Sequence, residues 1–78
     1  MTLSEFYKLI DEVIEAPAGT IQGGEILESL SGWDSLAVLA LIAAVDERCE
    51  IALPAKLIAN CKTVDDLAAL LGDKIEKE

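Results

Sequence analysis

The chain has no histidine, two cysteines, two prolines and one each of Trp, Tyr and Phe. Without histidine it lacks the commonest general base and a principal metal ligand. Cys49 and Cys61 are the only soft ligands, so no zinc site is expected. Two cysteines are also too few for a disulfide framework. Aromatics make up 4% of the residues, so the core must be built from Leu, Ile, Val and Ala. Positive charge is scarce: 6 basic residues face 15 acidic ones, for a net charge of -9. Such a surface repels nucleic acid and anionic membranes. It attracts basic patches on other proteins, more weakly as salt rises. The start, Met1 to Glu5, has no basic region followed by an apolar stretch, so no signal peptide is expected. The longest apolar run, Leu36 to Val45, is too short to span a bilayer. A cytoplasmic, monomeric chain with reduced thiols is the expectation.

What is present favours helices. Hydrophobic residues reach 53%, with Ala and Leu prominent. A length of 78 residues fits a single domain, 1–78, with a modest core. Thr2-Leu3-Ser4-Glu5 reads as a capping box that opens a helix running to about Glu15. Leu3, Phe6, Ile10, Val13 and Ile14 form its apolar stripe, while Lys8, Asp11, Glu12 and Glu15 take the solvent side. Pro17 ends the helix. Residues 16–34 form a long connection in which Ile21, Ile26, Leu27 and Leu30 anchor the chain and Glu25 to Leu30 can make a short turn. A second helix is expected from Ser35 to Cys49, with Val38, Ile42, Val45 and Cys49 facing inward. Its outer face would then be Ala37, Ala40, Ala44, Glu47 and Arg48. Pro54 opens a short helix over Ala55 to Cys61, with Leu57 and Cys61 as core contacts. Thr63-Val64-Asp65-Asp66 repeats the capping-box pattern and starts the last helix, which Gly72 caps. Asp73 to Glu78 reads as a frayed, charged tail. The class is all-α: three main helices and one short one, with no repeat and no convincing strand.

Gly32-Trp33-Asp34-Ser35-Leu36 carries the chemistry. Asp34 suits the N-cap, which makes Ser35 the first helical residue. Its hydroxyl then sits beside free backbone N–H groups at the positive end of a helix. That arrangement suits a phosphate, bound or covalently attached. The smooth alanine face beside it suggests a docking surface, although alanines also simply favour helix.

The order of elements, together with Asp34-Ser35-Leu36, Leu53-Pro54 and Thr63-Val64-Asp65-Asp66-Leu67, resembles the acyl carrier protein family. The likeness covers nearly the whole chain and is strongest from Trp33 to Leu71. It implies a small bundle with a long loop between the first two main helices. It also implies that Ser35 takes 4′-phosphopantetheine from coenzyme A through a phosphopantetheinyl transferase, with Asp34 capping the helix beside it. Acyl groups would ride on the arm's thiol as thioesters, passing from acyl-loading to acyl-accepting enzymes. The family's interior acyl pocket would here be lined by Val45, Cys49, Leu53 and Cys61. The cysteines either enlarge that pocket or are buried and inert.

Fatty-acid members of the family carry acids along the second helix, where this chain has Ala37 and Ala40. In the short helix it has Ala55, Lys56 and Leu57 instead of acids, and Trp33 is atypical. These departures look like stand-alone carriers of specialised lipid, surface-polysaccharide or secondary-metabolite pathways. Trp33, Leu36, Ala37, Ala40, Glu47 and Lys56 become the candidate partner-binding residues. No nucleophile–base pair is evident, so no enzyme is expected. The alternative is an unmodified helical interaction module of the same fold, using the apolar patch at Leu36, Ala37 and Ala40.

Overall fold

The computed structural model describes residues 1–76. The elements are α1 (Leu3–Val13), α2 (Ser35–Cys49), α3 (Ala55–Ala59) and α4 (Val64–Leu71), with 3₁₀ turns at Leu27–Ser29 and Gly72–Lys74. The fold is all-helical, as the composition and periodicity imply. Both capping boxes form. Thr2 Oγ1 accepts from the Glu5 N–H and Glu5 accepts from the Thr2 N–H; Thr63 and Asp66 do the same at α4.

The long connection between α1 and α2 is held by side chains as much as by its own apolar residues. Asp11 was expected on the solvent side of α1, yet it is only 3% exposed. Its carboxylate accepts from the N–H groups of Gly19 at 2.9 Å and Ile21 at 3.0 Å. The burial therefore supplies partners for two loop amides that α1 and α2 do not. Ile21 and Leu27 insert into the core as expected, but Ile26 points outward. Its backbone forms the anchor instead, in an isolated antiparallel bridge to Thr63. The Leu27 N–H donates to the Lys62 carbonyl, and the Val64 N–H donates to the Glu25 carbonyl. Tyr7 donates to Asp65 at 2.6 Å, which ties α1 to α4. Gly23, with a φ of +120°, passes against both of those side chains and leaves no room for a Cβ.

α2 lies rotated from the orientation that its hydropathy suggests. The buried line is Ala37, Leu41, Val45 and Cys49, one residue every four. Val38 and Ile42 are only half-buried, and Leu39 is exposed. This helix is apolar on nearly every side, so periodicity alone does not fix its rotation. Packing against α1 does, and small Ala37 sits on the buried line. α3 ends at Ala59 and turns Ile58 inward; Leu57, expected in the core, is exposed. The end of the chain is tied down as far as it is described. Ile75 packs against the core, and the Glu76 N–H donates to the Met1 carbonyl at 2.8 Å. Lys77 and Glu78, the last of the expected tail, lie outside the described residues. Among the described residues no helix is long and apolar enough to cross a membrane.

Candidate functional site

Ser35 is the first residue of α2, and three local features fix its position. Asp34 adopts an extended N-cap conformation, and its Oδ1 accepts the Ala37 N–H at 2.9 Å. The Asp34 carbonyl accepts the Val38 N–H at 3.0 Å and so starts the helical ladder. The N–H groups of Ser35 and Leu36 have no intrahelical acceptor at this end. Upstream, the Trp33 N–H donates to the Leu30 carbonyl and closes a turn that follows the first 3₁₀ segment. Gly32 packs directly on the Ile14 carbonyl at the end of α1, where any Cβ would collide with backbone. The hydroxyl-bearing residue is thus exposed, and its approach loop is pinned to α1.

A groove of about 460 Å³ opens beside Ser35, between α2 and α3. Trp33, Val38, Leu39, Ile58 and Cys61 are among its lining residues. Of these, Val38, Leu39 and Ile58 were not assigned to the site from sequence. The signal for the first two was present: Ser35, Val38 and Leu39 stand at i, i+3 and i+4 on one helix face. Cys61 is half-buried in the groove wall. Burial pushes its thiol above the ordinary 9.0, Asp66 nearby adds to that, and the thiol stays protonated at neutral pH. It donates to the Leu57 carbonyl at 3.4 Å.

The residues that the resemblance assigns to an interior acyl pocket divide between the core and the groove. Val45, Cys49 and Leu53 are buried members of the packed core, and only Cys61 of that set lines the groove at Ser35. α2 carries Cys49 at its far end, fourteen residues beyond Ser35, about 21 Å along the helix. Both cysteines are free thiols.

The candidate partner residues divide between two sides of α2. Trp33 is half-buried and faces the Ser35 groove. Leu36, Ala40 and Glu47 are exposed and line a separate hollow toward α1. Ala37 requires correction: at 2% exposure it belongs to the α1–α2 packing and offers a partner almost no surface. Lys56 is exposed on α3, apart from both depressions.

A family model described as a phosphopantetheine attachment site matches residues 4–71. No curated protein and no solved structure gives a significant match. The matched span runs from α1 to the last residue of α4 and includes the Asp34-Ser35-Leu36 helix start. The chain therefore belongs to the phosphopantetheine attachment family, whose domains bind 4′-phosphopantetheine and serve as carriers.

Proposed function

We propose that Ser35 is the residue that carries 4′-phosphopantetheine in this chain, and that the chain presents acyl intermediates to partner enzymes. The observation that carries this reading is the exposed Ser35 at the capped first turn of α2, within the span matched by the family. The residues present fit a phosphate-linked group there. The Asp34 cap holds the first turn, and the N–H groups of Ser35 and Leu36 point out of the helix end toward a phosphate. The adjoining groove offers apolar walls from Trp33, Leu39 and Ile58 to a flexible arm. When bound, the group supplies a terminal thiol that holds acyl cargo as a thioester. The chain's own residues do no chemistry on the cargo; they position the attachment point.

The pathway is a specialised one rather than general fatty-acid synthesis. The exposed surface of α2 near Ser35 is Leu36, Leu39, Ala40 and Ala43, where an acid-steered carrier would show carboxylates. Recognition there depends on apolar contact more than on long-range attraction. Leu36 at 75% and Leu39 at 62% exposure would also serve an unmodified interaction module.

One experiment separates the two readings. The chain is incubated with an acyl-coenzyme A and a broad-specificity phosphopantetheinyl transferase, then treated with hydroxylamine. The carrier reading expects an acyl-phosphopantetheine load, transferred with release of adenosine 3′,5′-bisphosphate, whose acyl part hydroxylamine removes, and no load on Ser35→Ala. A wild-type chain that takes no load, while a control carrier does, supports the unmodified module.

A further inference from the structure

The groove beside Ser35 continues past the end of α3. A second hollow, of about 520 Å³, lies between the first 3₁₀ turn and the α3–α4 connection. Glu28, Ala59 and Cys61 line both spaces and mark the junction between them. Ile26 and Thr63 stand on facing segments of the second hollow, and backbone pairing fixes them there. The Leu27 N–H donates to the Lys62 carbonyl at 2.8 Å, and the Val64 N–H donates to the Glu25 carbonyl at 3.1 Å. With its backbone pinned, Ile26 still leaves its side chain 55% exposed.

We propose that this second hollow seats the acyl cargo of the arm, and that the cargo it favours is a β-hydroxyacyl chain. The proposal rests on the Ser35 reading. Ile26 and Ala59 offer carbon to the body of the chain, and Cys61 presents its sulfur as a soft apolar wall, its hydrogen being given to the Leu57 carbonyl. Asn60 and Thr63 supply the polar groups. The Thr63 hydroxyl accepts the Asp66 N–H and keeps its own hydrogen to donate, while the Asn60 amide can donate and accept. Asn60 falls between Ala59 and Cys61, so polarity stands at the junction. Cargo arriving from Ser35 enters by its thioester end, which puts a hydroxyl near the thioester beside that amide. A carboxylated chain would instead meet Glu28 at the junction of a protein with net charge -9. A segment of another protein reaches this hollow by diffusion alone, whereas tethered cargo is held beside it at high effective concentration.

The test begins with intact mass. The chain is loaded from coenzyme A, octanoyl-coenzyme A or β-hydroxyoctanoyl-coenzyme A by a phosphopantetheinyl transferase. A chain that gains no mass overturns the Ser35 reading and this proposal with it; a loaded chain tests the seat alone. Isotope-labelled loaded chains are then compared by NMR. The expected result is nuclear Overhauser contacts from the β-hydroxyoctanoyl chain to the Ile26 and Ala59 methyls, with a shift of the Asn60 side-chain amide that the octanoyl load does not produce. Asn60→Ala lowers occupancy by the hydroxylated load about two- to tenfold, the worth of one hydrogen bond, and leaves the octanoyl contacts as they were. Ile26→Asp abolishes the contacts of both loads. Leu57→Asp, exposed on α3 and lining neither space, retains them. Spectra of the unacylated variants show that each is folded. Contacts to Val45 and Leu53 instead would overturn the proposal by placing the cargo in the core. So would identical behaviour of the two loads, or shifts no larger than those of the unacylated arm.

Discussion

Gly32 rests on the carbonyl of Ile14, so that the loop leading into Ser35 is laid directly on the end of α1. A Cβ at this position would meet the Ile14 carbonyl carbon at 2.7 Å and its Cα at 2.8 Å, and backbone atoms cannot swing aside. Gly32→Ala is expected to cost about 1–3 kcal/mol and to lower Tm by several degrees. It should also slow modification of the chain by a phosphopantetheinyl transferase, because the displaced loop carries Trp33 and Asp34. Thermal unfolding and transferase kinetics on one preparation check both effects. Unchanged values would mean that the loop position is not set by this contact.

Asp34 holds the first turn of α2 through the Ala37 N–H. Asp34→Ala is expected to lose about 1 kcal/mol, and Asp34→Asn most of that loss regained, since Asn caps as well as Asp. Chemical denaturation of the variants measures this. An Asn variant as unstable as the Ala one would show that charge at the helix end, rather than the cap bond, matters at this position.

Asp11 holds the long loop from inside. Asp11→Ala strands the N–H groups of Gly19 and Ile21, one of them in a buried bond, at a cost of about 1–3 kcal/mol. Amide exchange at Ile21 should accelerate relative to the core of α2. Undiminished protection there would remove the loop-anchoring role.

The capping boxes set an acid limit. The Thr2 backbone and hydroxyl hold the Glu5 carboxyl below its ordinary 4.5, and the backbone N–H groups of Lys62 and Thr63, with the Thr63 hydroxyl, hold Asp66 below 3.8. A carboxylate with a lowered folded-state pKa stabilises the fold above its unfolded value and loses that contribution as pH falls through the folded one. Glu5→Gln combined with Asp66→Asn should therefore lower Tm at neutral pH. The gap to wild type should close as pH falls from about 4.5 downward through the two lowered values. A Tm difference constant with pH would contradict the assignment.

The helix starts were legible in the sequence because their signals are local. Thr2 with Glu5, Thr63 with Asp66, and Asp34 before Ser35 each act within four residues, and each forms as read. The rotation of α2 was not legible. A helix with apolar residues nearly all round has no unique inward face, and close packing with α1 decides that Ala37 goes in and Leu39 comes out. Asp11 was misplaced because its partners are loop amides whose need for an acceptor no periodicity records. The pairing of Glu76 with Met1 joins opposite ends of the chain and leaves no local trace. At the candidate site, the position of Ser35 at the start of α2 was readable, whereas the groove walls depend on how α3 is set against α2.

The central claim is that Ser35 carries the arm. The most direct test is fragmentation of the modified chain by tandem mass spectrometry, after reaction with coenzyme A and a phosphopantetheinyl transferase. The account predicts one phosphopantetheine, located on Ser35 and absent from Ser35→Ala. A group found on Ser29 or Ser31 instead, or an unmodified chain beside a fully modified control carrier, would contradict it.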